Sequence, residues 1–449
     1  MLHYNDDTIY KKRNVLLELS EKKSQAQFHL LLKAARKVLT GMFGSGYPAD
    51  RELADFYRNN RQCGSRDRAL INNALYILLR HWGWVRKLAG KELVSVIESG
   101  ESNYTNRDLG AMLFFALATD NSHLNALKLA ANFIELPLPA INASSSIDRA
   151  EQAAKALGIG MTFSTDELLP QWTKGLVPAD YAEKILLRPP MWLRVNSGCS
   201  EQVAAELQAA QIGYDIPDNF PEARSLTPSA IHVPTLESFK NGSFEIQDLA
   251  SQGIVKFCSP GKGERWFDPC AGAGGKTLAL AEAMGRTGTV VAGDIREKVL
   301  IELRKRARRA GYPNIQIHQH DGKARRGLKP FDGVLIDAPC SCSGVWRRNP
   351  GNPWILTPQA VRKHAELQLT ILKNFASCVK VGGKVIYATC STFTEENEDV
   401  VNAFLASDDR FILRENLNPF TGEKCAGFMH VPETYNCDLM FAASLERKK

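Results

Sequence analysis

The sequence predicts a multidomain chain: an all-α N-terminal bundle, a small α/β region and a C-terminal doubly wound α/β domain with a mostly parallel sheet. Three observations predict it. Apolar residues recur at helical spacing through the first third of the chain. Strands and helices alternate from about Gly253 onward. The length, 449 residues, corresponds to two to four domains at about 100–200 residues each. The composition, 44% hydrophobic and 23% charged, excludes a mostly disordered or fibrous chain. No apolar stretch reaches the length of a membrane span, and residues 1–14 carry no apolar signal segment. Ten cysteines scattered over a long chain read as free thiols in a reducing compartment. A cytoplasmic protein without a membrane partner is therefore expected.

Residues 1–145 read as a helical bundle. Leu30, Leu31, Leu32, Ala35, Val38 and Leu39 share a face, as do Leu70, Ile71, Ala74, Leu75 and Leu78 after a polar start at Ser65–Asp67. Residues 146–167 are expected to be a linker, following the Leu-Pro-Leu-Pro run at 136–139 and three serines. Residues 168–252 form the small α/β region, with a strand over 191–196, a helix over 200–211 and short strands near 231–233 and 244–246. Residues 253–449 form the last domain. Its strands are expected at 265–267, 289–292, 315–318, 331–336 and 384–388, with helices at 276–284, 296–310 and 358–379 between them. Parallel sheets of this kind bind ligands at the carboxyl ends of their strands.

The first of these strands ends in Asp268-Pro269-Cys270-Ala271-Gly272-Ala273-Gly274-Gly275-Lys276-Thr277. A Gly-rich strand-to-helix turn lets a ligand approach the backbone beside a helix N-terminus. It is not a phosphate-binding P-loop, which needs Gly where Cys270 stands. Nor is it the dinucleotide fingerprint, which needs Gly at Thr277. The second strand ends at Asp294, where a carboxylate accepts both hydroxyls of a ribose. The third runs into Asp321 and the fourth ends at Asp337. Three acids at strand ends beside a Gly-rich turn suit a nucleoside ligand without a pyrophosphate, and S-adenosylmethionine fits. Cys340 follows the fourth strand and Cys390 the fifth. Two thiols at one sheet edge suit nucleophilic attack on an aromatic ring. A thiolate adding to carbon 6 of cytosine makes carbon 5 nucleophilic.

These residues resemble the RsmB/NOP family of RNA 5-methylcytosine methyltransferases. The matches are Cys270-Ala271-x-x-Gly274-Gly275-Lys276-Thr277, Asp294, Asp321-Gly322, Asp337-Ala338-Pro339-Cys340-Ser341-x-x-Gly344, Arg347-Arg348-Asn349-Pro350 and Ala388-Thr389-Cys390-Ser391-x-x-x-x-Glu396-Asn397. Leu193-Arg194-Val195-Asn196 and Gln247-Asp248-x-Ala250-Ser251 are similar to the family's small RNA-binding subdomain. Gly64–Arg68 with the helix after it is similar to the NusB-like domain of the bacterial branch. The resemblance implies a NusB-like bundle, an RNA-binding α/β subdomain and a Rossmann-like S-adenosylmethionine methyltransferase domain with a seven-stranded sheet. It puts the nucleophile on Cys390, product release on Cys340, and a cytosine contact on Asp337. The cofactor falls to Cys270, Ala271, Gly272, Ala273, Gly274, Gly275, Lys276, Asp294, Asp321 and Asp337. The chain departs from the family at Ala273, where Pro is usual, and at Leu439–Phe441, where Gly-Phe-Phe is usual.

The net charge is +7, and residues 296–329 alone hold eleven Lys or Arg against three Asp or Glu. One concentrated basic segment is the footprint of a phosphate-neutralising surface. Arg304, Lys305, Arg308 and Arg309, with Arg325, Arg326 and Lys329 after the third strand, are candidate RNA contacts, and Arg347 and Arg348 join them. The expected substrate is RNA, with small-subunit rRNA implied by the resemblance. The alternatives are a methyltransferase acting on tRNA or DNA cytosine and a non-catalytic RNA-binding assembly factor. No metal is expected, and a monomer is.

Overall fold

In the computed structural model, residues 21–227, 233–324 and 329–449 are described. The chain divides into two compact units. One runs to Gln171 and includes Asn349–Ile355; the other comprises Trp172–Arg348 and Leu356–Lys449.

The first unit is all helical. Its helices are Glu21–Ser45, Ala49–Asn59, Ser65–Arg80, Trp82–Ala89, Lys91–Glu98, Asn106–Asp120, Leu124–Phe133 and Ser146–Ala156. Asn106–Asp120 is apolar all round, and ten of its residues from Leu109 to Thr119 are buried, as befits the central helix of a bundle. A reciprocal Thr105–Asp108 capping box starts it. The segment 146–167, expected to be a linker, begins with the helix Ser146–Ala156 instead. Ser145 caps it, and Ala150, Ala153 and Ala154 are buried as it packs on Asn106–Asp120. Three small residues at helical spacing make a narrow buried stripe, which the Pro- and Ser-rich context obscured.

The second unit holds two sheets. The smaller has the order β2-β3-β1-β4, all antiparallel, from β1 (Met191–Val195), β2 (Gly213–Asp215), β3 (Ala223–Thr227) and β4 (Phe244–Ile246). The strand expected near 231–233 lies mostly outside the described residues, and Val233–Thr235 is a 3-10 turn. The larger sheet is formed by β5 (Arg265–Asp268), β6 (Thr289–Asp294), β7 (Ile315–Gln319), β8 (Phe331–Asp337), β9 (Val379–Thr389), β10 (Phe411–Leu413) and β14 (Phe441–Arg447). Its order is β10-β14-β9-β8-β5-β6-β7, with β13 (Phe428–His430) added on β14; β11 (Asn416–Leu417) and β12 (Lys424–Cys425) pair separately. The five strands from β5 to β9 are parallel, and β14 and β10 are antiparallel. The strand order reverses at β5, so a crevice opens beyond its carboxyl end.

The small sheet is stitched to the large one within this unit. Glu245 on β4, 2% exposed, takes Arg306 at 2.9 Å and Arg309 at 2.5 Å. The Trp192 indole N–H donates to Asn436 O, and Tyr312 O–H to Asn196. The division expected at 252/253 falls inside the helix Leu249–Cys258, most of whose residues are buried in the core shared with β5, β6 and β9.

Candidate active site

The crevice begins with the turn after β5. The buried Asp268 carboxylate accepts the Thr277 hydroxyl at 2.7 Å and the Cys270 N–H at 3.3 Å, tying the two ends of the Gly-rich loop together. Burial pushes this carboxyl up to about 7, against the pull of the Thr277 hydrogen bond. Gly274 sits at φ +89°, and a Cβ there would lie 2.6 Å from Leu303. Glycine meets both demands, and the helix Gly275–Ala283 starts directly after it. The loop leans on β6: Ala271 N–H donates to Gly293 O at 2.9 Å and Gly272 N–H to Asp294 Oδ2 at 3.0 Å. Burial opposes charge on Asp294, but hydrogen bonds from Arg296 outweigh it and hold the carboxyl below the usual range. Asp321 is exposed and accepts the Lys323 N–H at 3.1 Å, so it is a turn residue at the rim. Its neighbour His320, not singled out from the sequence, joins Pro269 O at 2.8 Å and the Gly322 N–H at 3.0 Å, clamping the β7 turn to the Gly-rich loop.

The other wall comes from β8 and β9. Asp337 is paired with Ala388 in the parallel ladder, so the chains leaving the two strands run side by side. Ala338 N–H donates to Ala388 O, and Gly344 N–H to Cys390 O, both at 2.9 Å. A Cβ on Gly344 would stand 1.9 Å from Leu439 O, so this approach needs glycine. The result is Cys340 Sγ 3.3 Å from Cys390 Sγ. Beneath both loops lies Glu396, fully buried. It accepts the Ser341 N–H at 2.9 Å, the Ser341 and Ser391 hydroxyls, and the Gln368 amide at 2.9 Å. One carboxylate therefore braces the residue after each cysteine. Asn397 adds a bond to Ser391 O at 3.0 Å. After Cys390 a 3-10 turn covers Thr394–Glu396 and the α-helix covers Glu398–Ser407. Glu396 spends its acceptors on the cysteine loops rather than on a helix cap.

Lys276 Nζ donates to Asp337 Oδ2 at 2.8 Å across the crevice floor. Burial works against the ammonium, but Asp337 holds the Lys276 value above its ordinary one; burial pushes the Asp337 carboxyl up. A third thiol, Cys342, joins the pair, and the three Sγ atoms lie within 4.8 Å of one another. Hydrogen bonds from Cys340 and Cys390 hold the Cys342 thiol below its ordinary range, and those to Cys342 and Cys390 push Cys340 up. A hydrogen bond with Cys340 lowers the Cys390 thiol, but the hydrogen bond with Cys342 and burial outweigh it and push it up to about 12. Sequence reading missed Cys342, whose only signal was a Cys two residues after Cys340.

The donor set fits S-adenosylmethionine. Cys270–Lys276 present a loop at a helix N-terminus for the amino-acid tail, Asp294 a carboxylate for ribose hydroxyls, and Asp321 a rim carboxylate.

The candidate RNA contacts divide. Arg304, Lys305 and Arg308 are exposed on the helix Glu297–Arg309. Arg309 turns inward to Glu245. Arg347 is 5% exposed and donates to Leu187 O and Asn436. Arg348 pairs with Asp248 at 2.5 Å and Asp438 at 2.9 Å. These three are corrected to internal struts, because their guanidinium groups already hold partners within the unit. Arg325 and Arg326 lie outside the described residues.

Residues 255–446 match the model of the family described as 16S rRNA methyltransferase RsmB/F. Ribosomal RNA small subunit methyltransferase B of Klebsiella pneumoniae (strain 342) is 38% identical over 226 residues, 49% of this chain and 51% of that one. Its counterpart from Enterobacter sp. (strain 638) is 34% identical over 263 residues, 58% and 60% of the two chains. The chain thus spans about half to three fifths of the length of these relatives. Among solved structures, PH0851 is similar with a TM-score of 0.69 at 22% identity, covering 93% of this chain and 99% of that one. A methyltransferase homolog protein from Pyrococcus horikoshii gives 0.51 at 25% identity, covering 59% and 89%. The fold is that of these two structures, and no helix among the described residues is long and apolar enough to cross a membrane. Residues 255–446 of this chain are thus similar to the RsmB/F-type methyltransferases.

Proposed function

We propose that the chain transfers a methyl group from S-adenosylmethionine to carbon 5 of a cytosine in RNA, with small-subunit rRNA as the substrate class, acting in the cytoplasm. The observation that carries this reading is the Cys340–Cys390 pair, 3.3 Å apart at the carboxyl edge beside Lys276 and Asp337. The names of the curated relatives support rRNA as the substrate. When bound, the cofactor supplies an electrophilic sulfonium methyl.

Cys390 gives its proton to solvent, its thiolate favoured by the nearby Lys276 ammonium, and its sulfur bonds to carbon 6 of the ring. The displaced π electrons make carbon 5 nucleophilic, and it takes the methyl. Asp337 contacts the polar edge of the ring as charge develops, oriented by Lys276. Once the Cys390 charge has passed into the adduct, Cys340 gives its own proton to solvent and, as a thiolate, takes the proton from carbon 5; the double bond reforms and the Cys390 sulfur departs. Glu396 is a positioning residue that keeps both cysteine loops in register. Exposed Arg304, Lys305 and Arg308 grip phosphates without reading sequence.

Replacing the nucleophile tests this reading. Cys390→Ala is expected to abolish methyl transfer to RNA, a loss of at least about a thousandfold, while calorimetric S-adenosylmethionine binding stays near that of the parent. Persistent turnover would contradict it.

A further inference from the structure

The proposed reaction uses two cysteines, but the crevice holds three. Cys342 sits at φ +57°, ψ +31°, in the left-handed region. Glycine adopts that conformation freely, and a residue with a Cβ does so at a cost. The loop therefore carries a thiol where its backbone favours none. That thiol approaches Cys340, its Sγ 3.4 Å from Cys340 O, and stands within 4.8 Å of the other two sulfurs. Among the described residues this is the group of Cys, His, Asp and Glu that meets the geometry of a metal-binding cluster; the remaining seven cysteines do not join it.

We propose that Cys340, Cys342 and Cys390 form an inhibitory site for a soft, thiophilic cation, Zn2+, that ties up the nucleophile. An all-thiolate donor set selects Zn2+ or Cu+ over Mg2+ and Ca2+. Tetrahedral Zn2+ with bonds of about 2.3 Å places its sulfurs about 3.8 Å apart. The observed spacing, 3.3 Å for one pair and within 4.8 Å for all, brackets that value. Binding forms three Zn–S bonds, sends the thiol protons to solvent and changes no oxidation state; water fills the fourth position. Three thiolates on a divalent ion leave one negative charge, and the Lys276 ammonium is close enough for its charge to act on Cys390. With its sulfur lone pair on the metal, Cys390 cannot bond to carbon 6. Only this inhibitory consequence rests on the proposed function; binding itself does not.

The test is titration of the reduced full chain with Cd2+, read by thiolate-to-metal absorption in the ultraviolet. One equivalent is expected to bind, and Zn2+ in excess is expected to compete with it. Cys342→Gly, which suits the backbone, is expected to lower affinity at least about tenfold, while Cys199→Ser leaves it unchanged. In parallel, Zn2+ is expected to inhibit methyl transfer by the parent reversibly, with recovery on chelation, and to inhibit Cys342→Gly at least about tenfold less well. Absence of the absorption band, or equal affinity in parent and Cys342→Gly, would overturn the site. A Cys342-dependent band in a protein without methyl transfer would uphold the site and overturn the proposed function.

Discussion

Two buried ion-pair systems in the second unit use the same chemistry differently. At Glu245, both carboxylate oxygens are held by guanidinium groups, Arg306 on one and Arg309 on the other. Arg306 also reaches Ala273 O at 2.9 Å, carrying the brace to the Gly-rich loop. At the crevice floor, Lys276 and Asp337 share one contact of 2.8 Å, and the Asp337 side chain keeps 30% of its surface exposed. The first arrangement is saturated and serves to join two sheets. The second is open on one side and suits a group that must meet a ligand. Asp337 keeps hydrogen-bonding capacity that Glu245 has spent on its two arginines.

The largest expected effect breaks the saturated system. Glu245→Ala leaves Arg306 and Arg309 part-buried without their carboxylate and is expected to cost about 3–5 kcal/mol of stability, measured by denaturant unfolding. A loss under about 1 kcal/mol would mean that the arginines find water instead. Next is the cofactor side of the crevice. Asp294→Ala is expected to weaken S-adenosylmethionine binding at least about tenfold, since a charge-assisted hydrogen bond contributes about 1.5–3 kcal/mol. Unchanged affinity by calorimetry would remove Asp294 from the site. The smallest effect separates the two faces of the helix Glu297–Arg309. Reversing exposed Arg304 and Arg308 to Glu is expected to flatten the slope of log RNA affinity against log salt, by about 0.7 per lost phosphate contact. The unfolding free energy should change little. An unchanged salt slope would reduce this face to a solvated surface.

The five parallel strands were legible because β-branched and apolar runs alternate with helical segments at regular spacing. The same holds for Cys340, Cys390 and the Gly-rich loop, which sit where those strands end. What was not legible depends on partners far along the chain. Nothing in the order of residues says that Arg309 will meet Glu245, 64 positions away, rather than a phosphate. Glu396 looks like a helix-start acid, and its role as brace emerges only when the loops after β8 and β9 run together. Strands β2 and β3 are short and half polar, and β10, β13 and β14 pair antiparallel beyond the alternating pattern. Cys342 was hidden because its meaning lies in a left-handed backbone angle.

The most direct test of the central claim is the fate of the substrate in Cys340→Ala. If Cys390 attacks and Cys340 releases, this variant should accumulate a covalent protein–RNA adduct on a denaturing gel when given S-adenosylmethionine and a cytosine-containing rRNA fragment. Digestion and mass analysis should place the nucleotide on Cys390, and the double variant lacking both cysteines should form none. Full turnover by Cys340→Ala without any adduct, or an adduct on a residue other than Cys390, would contradict the account.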